Sequence, residues 1–168
     1  MDTAHDMPLP DDRTATPRRL AALPSRLLNL TAAQGERMIS GRLAEADARK
    51  WHYAVLAALE EYGPASQATL SRRTGIYRSD LVAVINELEA RGTVRRAPDP
   101  DDRRRNVVTL TPAGRTQLDR LDAVLGAVQD DLLAPLSGPE RAELTSLLAR
   151  LVAHHAALRE GEGAGTGR

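Results

Sequence analysis

The densest chemistry in the sequence lies at 99–106, where Asp99, Asp101 and Asp102 run directly into Arg103, Arg104, Arg105 and Asn106. Two kinds of chemistry compete for that stretch. Three nearby carboxylates suggest oxygen ligands for a hard cation, but the Asp-x-Asp-x-Asp-Gly spacing with a distant Glu that calcium loops use is missing, and three cations follow at once. Three guanidinium groups instead suit phosphate oxygens and the negative potential of a minor groove. A second set of chemistry-bearing residues begins at Arg78, with Ser79, Ala83 and Asn86 spaced to share one side of a helix. Asn can bond adenine at two points and Arg can bond guanine at two, while small residues let a helix approach closely. Enzyme chemistry finds no comparable support: there is no Ser/His/Asp order, His-x-x-Glu-type motif or glycine-rich phosphate loop. No catalytic residue, cofactor or metal ligand set is assigned.

The elements that must hold these residues can be read from periodicity. Leu81, Val84, Ile85 and Leu88 fall at i, i+3, i+4 and i+7, which predicts a helix over about 78–91 with one apolar face. Its opposite face carries Ser79, Ala83, Asn86 and Ala90. Gly92 is placed for a left-handed cap, the β-branched stretch 93–97 predicts a strand ending at Pro98, and 107–110 predicts a second strand. Strand, basic loop and strand make a wing, its tip at 98–106. Ahead of it, Ser66 is a cap for a helix over 67–74, Leu70 is its inward anchor, and Gly75-Ile76 makes a tight turn. The arrangement predicted is a winged helix-turn-helix.

These residues carry a resemblance. Gly75-Ile76-Tyr77-Arg78-Ser79-Asp80, Leu88-Glu89-Ala90-Arg91-Gly92, Pro98-Asp99-Pro100-Asp101-Asp102-Arg103-Arg104 and Val108-Thr109-Leu110-Thr111-Pro112-Ala113-Gly114 together resemble the MarR (multiple antibiotic resistance regulator) family of bacterial transcription factors, over roughly 24–158. The resemblance implies a recognition helix at about 78–91 in the major groove, with Arg78, Ser79, Ala83 and Asn86 reading bases. It also implies a wing at 98–106 whose Arg103, Arg104 and Arg105 reach phosphates and the minor groove, Arg104 carrying the wing signature's contact. Asp102, a carboxylate that phosphates would repel, is assigned to an ion pair that shapes the wing. Tyr77 stands where relatives often have Ser or Asp as helix cap, so the resemblance leaves the start of the recognition helix open.

Composition bounds the rest. A chain of 168 residues is enough for one domain with tails, and zero cysteine excludes disulfides and thiol sensing. No run approaches the ~20 apolar residues of a membrane span, so the expectation is a soluble cytoplasmic protein with no membrane partner. The net charge of zero argues by itself against a nucleic-acid partner, yet 67–106 holds nine arginines against six acids. The basic residues are all arginine except Lys50. That bias suits phosphate and guanine contacts, and is equally expected from a GC-rich genome.

Along the chain, 1–19 is expected to be a disordered tail, with Pro8, Pro10 and Pro17 among charges, and 161–168 a flexible glycine-rich one. Leu23, Leu27 and Leu30 start an amphipathic helix over about 24–43; 20–48 is assigned as an N-terminal dimerisation segment and 49–111 as the DNA-binding domain. A helix over about 49–62 puts His52, Val55, Leu56 and Leu59 on one face. His52 there is either a core histidine satisfied by one hydrogen bond or a polar contact in a ligand pocket. After the wing, Thr111-Pro112 starts a helix with Leu118, Leu121, Leu125, Val128 and Leu132 at alternating spacings of three and four. Ser137-Gly138-Pro139-Glu140 reads as a capping box before a last helix with Leu144, Leu147, Leu151, His154 and Leu158. The segment 112–160 is assigned to C-terminal dimerisation helices.

The fold class expected is therefore mainly α with a small β-wing, the winged helix-turn-helix embedded between dimerisation helices. Leu23, Leu27, Leu30, Leu144, Leu147, Leu151 and Leu158 are the expected dimer contacts; a monomeric helical bundle is the alternative. Function divides between a dimeric repressor on a pseudo-palindromic double-stranded operator and a winged-helix scaffold that binds protein. The resemblance implies in addition a small anionic or aromatic effector, expected at Trp51, His52 and Tyr53.

Overall fold

The computed structural model describes residues 16–99 and 106–164. Its elements are α1 (Arg18–Ala21), α2 (Pro24–Glu45), α3 (Lys50–Tyr62), β1 (Ala65–Ser66), α4 (Gln67–Thr74), α5 (Arg78–Ala90), β2 (Val94–Pro98), β3 (Asn106–Leu110), α6 (Pro112–Leu132) and α7 (Gly138–Ala164). The class is the one expected, mostly helical with one small antiparallel sheet.

Local signals set most element ends. The Ser66 side chain accepts a hydrogen bond from the Thr69 backbone N–H at 3.2 Å, capping α4. Gly75 then closes α4 at φ +71°, a left-handed conformation that a Cβ disfavours. Thr111 Oγ1 accepts from the Gly114 N–H at 3.0 Å, so threonine caps α6 ahead of Pro112, as the sequence predicted. Before α7 the Glu140 half of the capping box is present: its carboxylate accepts from the Ser137 N–H at 2.8 Å and from the Ser137 hydroxyl at 2.7 Å.

Three expectations are corrected. Helix α1 begins inside the stretch assigned as a disordered tail, because Pro17, at φ −55°, presets a turn whose carbonyl takes the N–H groups of Leu20 and Ala21. At the other end, α7 continues through Gly161 to Ala164, into the stretch assigned as a flexible tail. A helical glycine costs only about 1 kcal/mol against alanine, too little to stop an established helix without a proline or a left-handed cap. The sheet also has a third strand, in the order β1-β3-β2, with Ala65 opposite Val108 and Ser66 opposite Val107. Two residues are too few to show an alternation in the sequence.

The chain divides into two compact units, Met1–Val128 and Gln129–Arg168. The division falls at 128/129, and the expected boundaries at 48/49 and 111/112 both lie inside the first unit. The reason lies in the core of the first unit: around Leu56, Leu70, Leu81, Ile85, Leu88 and Val108 it gathers Leu43, Ala46 and Ala48 from one side of the expected domain and Leu118 and Leu121 from the other. A fully buried leucine contributes roughly 1.5–3 kcal/mol, so these flanking residues belong energetically to the winged helix. Leu118 and Leu121, read as part of a coiled-coil-like seam, are spent inside the first unit.

Candidate nucleic-acid interface

Helix α5 separates its two faces cleanly. Leu81, Val84, Ile85 and Leu88 are buried, whereas Arg78, Ser79, Val82, Ala83, Asn86 and Ala90 are exposed. The four base-reading candidates therefore share a solvent face whose bulkiest aliphatic side chain is Val82. Tyr77 occupies the N-cap position and makes no side-chain cap bond, yet the helix starts at Arg78, where the resemblance had left the start open. Its own ring is 80% exposed, at the entrance to that face.

What holds α5 in place sits on its C-terminal half. Glu87 accepts hydrogen bonds from Arg49 and from His52 Nε2, the latter at 2.9 Å. His52 is 2% exposed, and its Nδ1 accepts the Arg49 backbone N–H at 3.2 Å. Since Nδ1 is an acceptor, the ring proton is on Nε2 and is donated to Glu87. Burial first, then the charges of Arg49 and Arg91, hold the His52 pKa below its ordinary value against the opposing pull of Glu87. The Glu87 carboxyl is itself lowered by its bonds from His52 and Arg49.

One turn further on, Arg91 donates to the Asp47 carbonyl and pairs with its carboxylate at 3.1 Å. Asp47 takes φ +53° in the turn between α2 and α3, a conformation aspartate tolerates better than most residues. A third clasp comes from the wing. The Arg96 N–H donates to Glu89 at 3.0 Å, its Nε lies 3.5 Å from the same carboxylate, and its Nη2 donates to Asn86 Oδ1.

The wing strands pair in register from Val94↔Leu110 to Pro98↔Asn106, which brings the two ends of the basic loop together. Asp102, Arg103, Arg104 and Arg105 lie outside the described residues.

Beside His52 is a cavity of about 240 Å³, lined among others by Leu56, Leu88, Arg91, Gln117 and Arg120. A second, more open hollow of about 370 Å³ has Arg42, Glu45, Arg120 and Val124 on its walls. Of the expected ligand-pocket residues, His52 lines the first of these two cavities, and Trp51 and Tyr53 line neither. Trp51 is 37% exposed, with Lys50 Nζ 5.1 Å from its ring centre, and the Tyr53 hydroxyl donates to Asp122 at 2.9 Å. Neighbours in a helical sequence point about 100° apart, so burying His52 turns its neighbours away from the cavity. Among the described residues no cluster of His, Asp or Glu is arranged to hold a metal ion, and no helix is long and apolar enough to cross a membrane.

Comparison with known proteins follows the same outline. A family model described as MarR family matches residues 48–105. A probable transcriptional regulator from Pseudomonas aeruginosa superimposes with a TM-score of 0.69 at 33% identity, over 79% of this chain and 99% of that one. The chain belongs to the MarR family. Among other MarR-type proteins, the Streptomyces coelicolor PcaV transcriptional regulator, in complex with its natural ligand, superimposes with a TM-score of 0.67 at 29% identity, over 80% of this chain and 94% of that one. The HTH-type transcriptional repressor NicR of Pseudomonas putida is 31% identical over 100 residues, 60% of this chain. The chain spans 63% of NicR's length.

Sequence reasoning missed the residues that orient the MarR-type recognition helix: Asp47, Arg49, Glu87, Glu89, Arg91 and Arg96. Charged side chains at these positions read as solvated surface, and no periodicity pairs Arg91 with a residue 44 positions away. Positive charge beside the recognition helix was legible only as a local excess of arginine. In the fold it includes Arg72 and Arg73 in the last turn of α4, Arg73 lying 4.6 Å over the Tyr62 ring.

Proposed function

We propose that this chain is a homodimeric transcriptional repressor that binds a pseudo-palindromic double-stranded operator and is released from it by a small anionic or aromatic effector. The observation that carries the reading is the division of α5, with every bulky core residue on one face and Arg78, Ser79, Ala83 and Asn86 exposed on the other. A helix built so can enter a major groove and present donors and acceptors to base edges. Arg103, Arg104 and Arg105 at the wing then reach phosphates and the adjoining minor groove, and Asp102 shapes the wing.

Two recognition helices about one DNA turn apart require a second protomer. Leu23, Leu27, Leu147, Leu151 and Leu158 remain exposed in the single chain, Leu147 and Leu151 at 46% each, and Leu30 and Leu144 are only half-buried. Burying such a stripe is worth about 25 cal/mol per Å² of apolar surface, which favours pairing of these helices between two copies. The segments 20–48 and 112–160 thus serve dimerisation beyond what they supply to the winged-helix core. NicR bears the name of a repressor.

The effector site we infer is the cavity beside His52. Arg91 and Arg120 offer positive charge to a carboxylate, and Leu56 and Leu88 offer apolar walls to a ring. Because His52 and Arg91 also hold α5, a ligand that engages them favours a different placement of the recognition helix, to the extent that it binds that placement better. PcaV has been crystallised with its natural ligand, which supports a ligand-responsive reading.

An electrophoretic mobility shift with the DNA upstream of the protein's own coding sequence tests the function. A saturable shift that specific competitor removes and random duplex does not is expected. Equal competition by both DNAs would refute sequence-specific binding and leave the protein-binding scaffold. Release by aromatic acids is then measured on wild type and His52→Ala; Trp51 emission is not the readout, since Trp51 lies outside the cavity.

A further inference from the structure

Among the described residues, Asn86 is the one base-reading candidate on α5 whose side chain is held by another element. Its Oδ1 accepts a hydrogen bond from Arg96 Nη2. The assignment of oxygen and nitrogen in that amide is fixed by chemistry, since a guanidinium only donates and the atom facing it must be the carbonyl oxygen.

Arg96 is not a loose surface cation. It stands mid-strand in β2, opposite Val108 of β3, its backbone N–H bonds Glu89 at 3.0 Å, and its Nε lies 3.5 Å from the other oxygen of that carboxylate. Its side chain is one-quarter exposed, and the Nε atom is fully buried. Glu89 thus neutralises the guanidinium and fixes its position, its buried Nε makes no hydrogen bond, and Nη2 donates to Asn86.

We propose that Arg96 sets the base preference of Asn86. With Oδ1 engaged, the group Asn86 offers to DNA is the Nδ2 amide, a donor. The familiar two-point contact to adenine needs both a donor to N7 and an acceptor for the N6 amine. A second donor at Oδ1 would have to sit beside the guanidinium N–H groups. Guanine presents two acceptors, N7 and O6, and takes the amide donor without any call on the oxygen. Asn86 therefore favours guanine over adenine at the base pair it reads, and Arg96, which touches no base itself, is the positioning residue for that choice. The inference rests on the reading of α5 as a DNA-recognition helix.

The test is selection from a randomised duplex library by wild type, Asn86→Ala, Arg96→Met and Glu89→Gln, with thermal unfolding of each variant as a control. Asn86→Ala identifies the base pair that Asn86 reads, as the position in each half-site whose preference flattens. At that position wild type is expected to select guanine. Arg96→Met keeps the aliphatic stem, frees Oδ1, and is expected to shift the ratio toward adenine by about fivefold or more, the low end of what a two-point contact discriminates. Glu89→Gln keeps the Arg96 to Asn86 bond and should retain the wild-type profile even where overall affinity drops. A wild-type preference for adenine at that position, or an Arg96→Met profile that superimposes on wild type at lower affinity, overturns the proposal while leaving DNA binding intact. If wild type selects no sequence from the library, the DNA-binding reading fails and this inference falls with it.

Discussion

Gly114 lies in the first turn of α6, where the helix leaves the wing, and the chain there is pressed against backbone. A Cβ added to it would lie 2.0 Å from the Thr93 carbonyl oxygen, 2.6 Å from Leu110 Cδ1 and 3.0 Å from the Thr93 carbonyl carbon. The leucine end can swing aside, but the carbonyl cannot. Thr93 O accepts from the Thr111 N–H at 3.1 Å and the Thr111 hydroxyl at 3.0 Å. The Thr93 residue is pinned again by its own hydroxyl, which donates to Leu88 O at 2.8 Å. Making room for a methyl group means giving up the two bonds to Thr93 O, at about 1 kcal/mol each, and absorbing overpacking of roughly 1–3 kcal/mol. The better helix propensity of alanine returns at most about 1 kcal/mol. Gly114→Ala is therefore expected to destabilise by about 3 kcal/mol, a fall in Tm of roughly 6–12 °C for a chain of this size. The matched control is Gly41→Ala in α2, where nothing lies within 4 Å of the added atom and the same substitution should be neutral or stabilising by up to about 1 kcal/mol. Differential scanning calorimetry of the two variants, with operator titration of each at a temperature where it is folded, separates stability from function. Because Thr93 leads directly into β2, the folded fraction of Gly114→Ala should also bind operator more weakly. A Gly114→Ala protein as stable as wild type would refute the argument that this contact is rigid.

The other expectations concern charge, assembly and the wing. His52, its pKa lowered in the fold, stays neutral there while the unfolded chain takes up a proton below about pH 6.5. Stability should then be flat above that value and fall as pH drops below it. Arg49, Arg91, Arg120 and Asp47 are the nearby charges, and Glu87 titrates at lower pH, outside that window. Urea denaturation across this range should show the slope in wild type and a smaller one in His52→Gln; equal slopes would acquit His52. Leu147→Glu with Leu151→Glu places two carboxylates on the exposed stripe of α7 and should yield a folded monomer without operator affinity in light scattering and binding assays. A persistent dimer would move the interface elsewhere. Arg104→Ala should cost operator binding a few kcal/mol, on the scale of individual protein–DNA contacts, with Tm nearly unchanged; equal operator affinity would take the wing out of the mechanism.

The winged helix was legible in the sequence because its signals are local. An apolar residue every three or four positions, Ser66 before α4, Gly75 and Gly92 at φ +71° and +70°, and Thr111-Pro112 before α6 each act within a few residues of where they stand. Such relations survive without any knowledge of what the chain packs against, so α3 to α6, both wing strands and the exposed face of α5 could all be placed from letters alone. Of the three residues expected at a ligand site, His52 is the one that lines the cavity described above, since periodicity says which side of a helix is apolar but not what lies opposite.

What the tertiary structure alone decided is how the recognition helix is held and what its side chains have left to offer. His52 meets Glu87 across 35 positions, and Arg91 meets Asp47 across 44. Arg96, one of nine arginines counted as local charge, proves to be committed to Glu89 and Asn86. The sequence determined which residues α5 would show to solvent; folding determined that one of them has its acceptor already in use. The physical reason is that charged and amide groups satisfy their hydrogen bonds with whatever the packed core brings within about 3 Å, and that choice belongs to contacts between elements, which no period in the chain records.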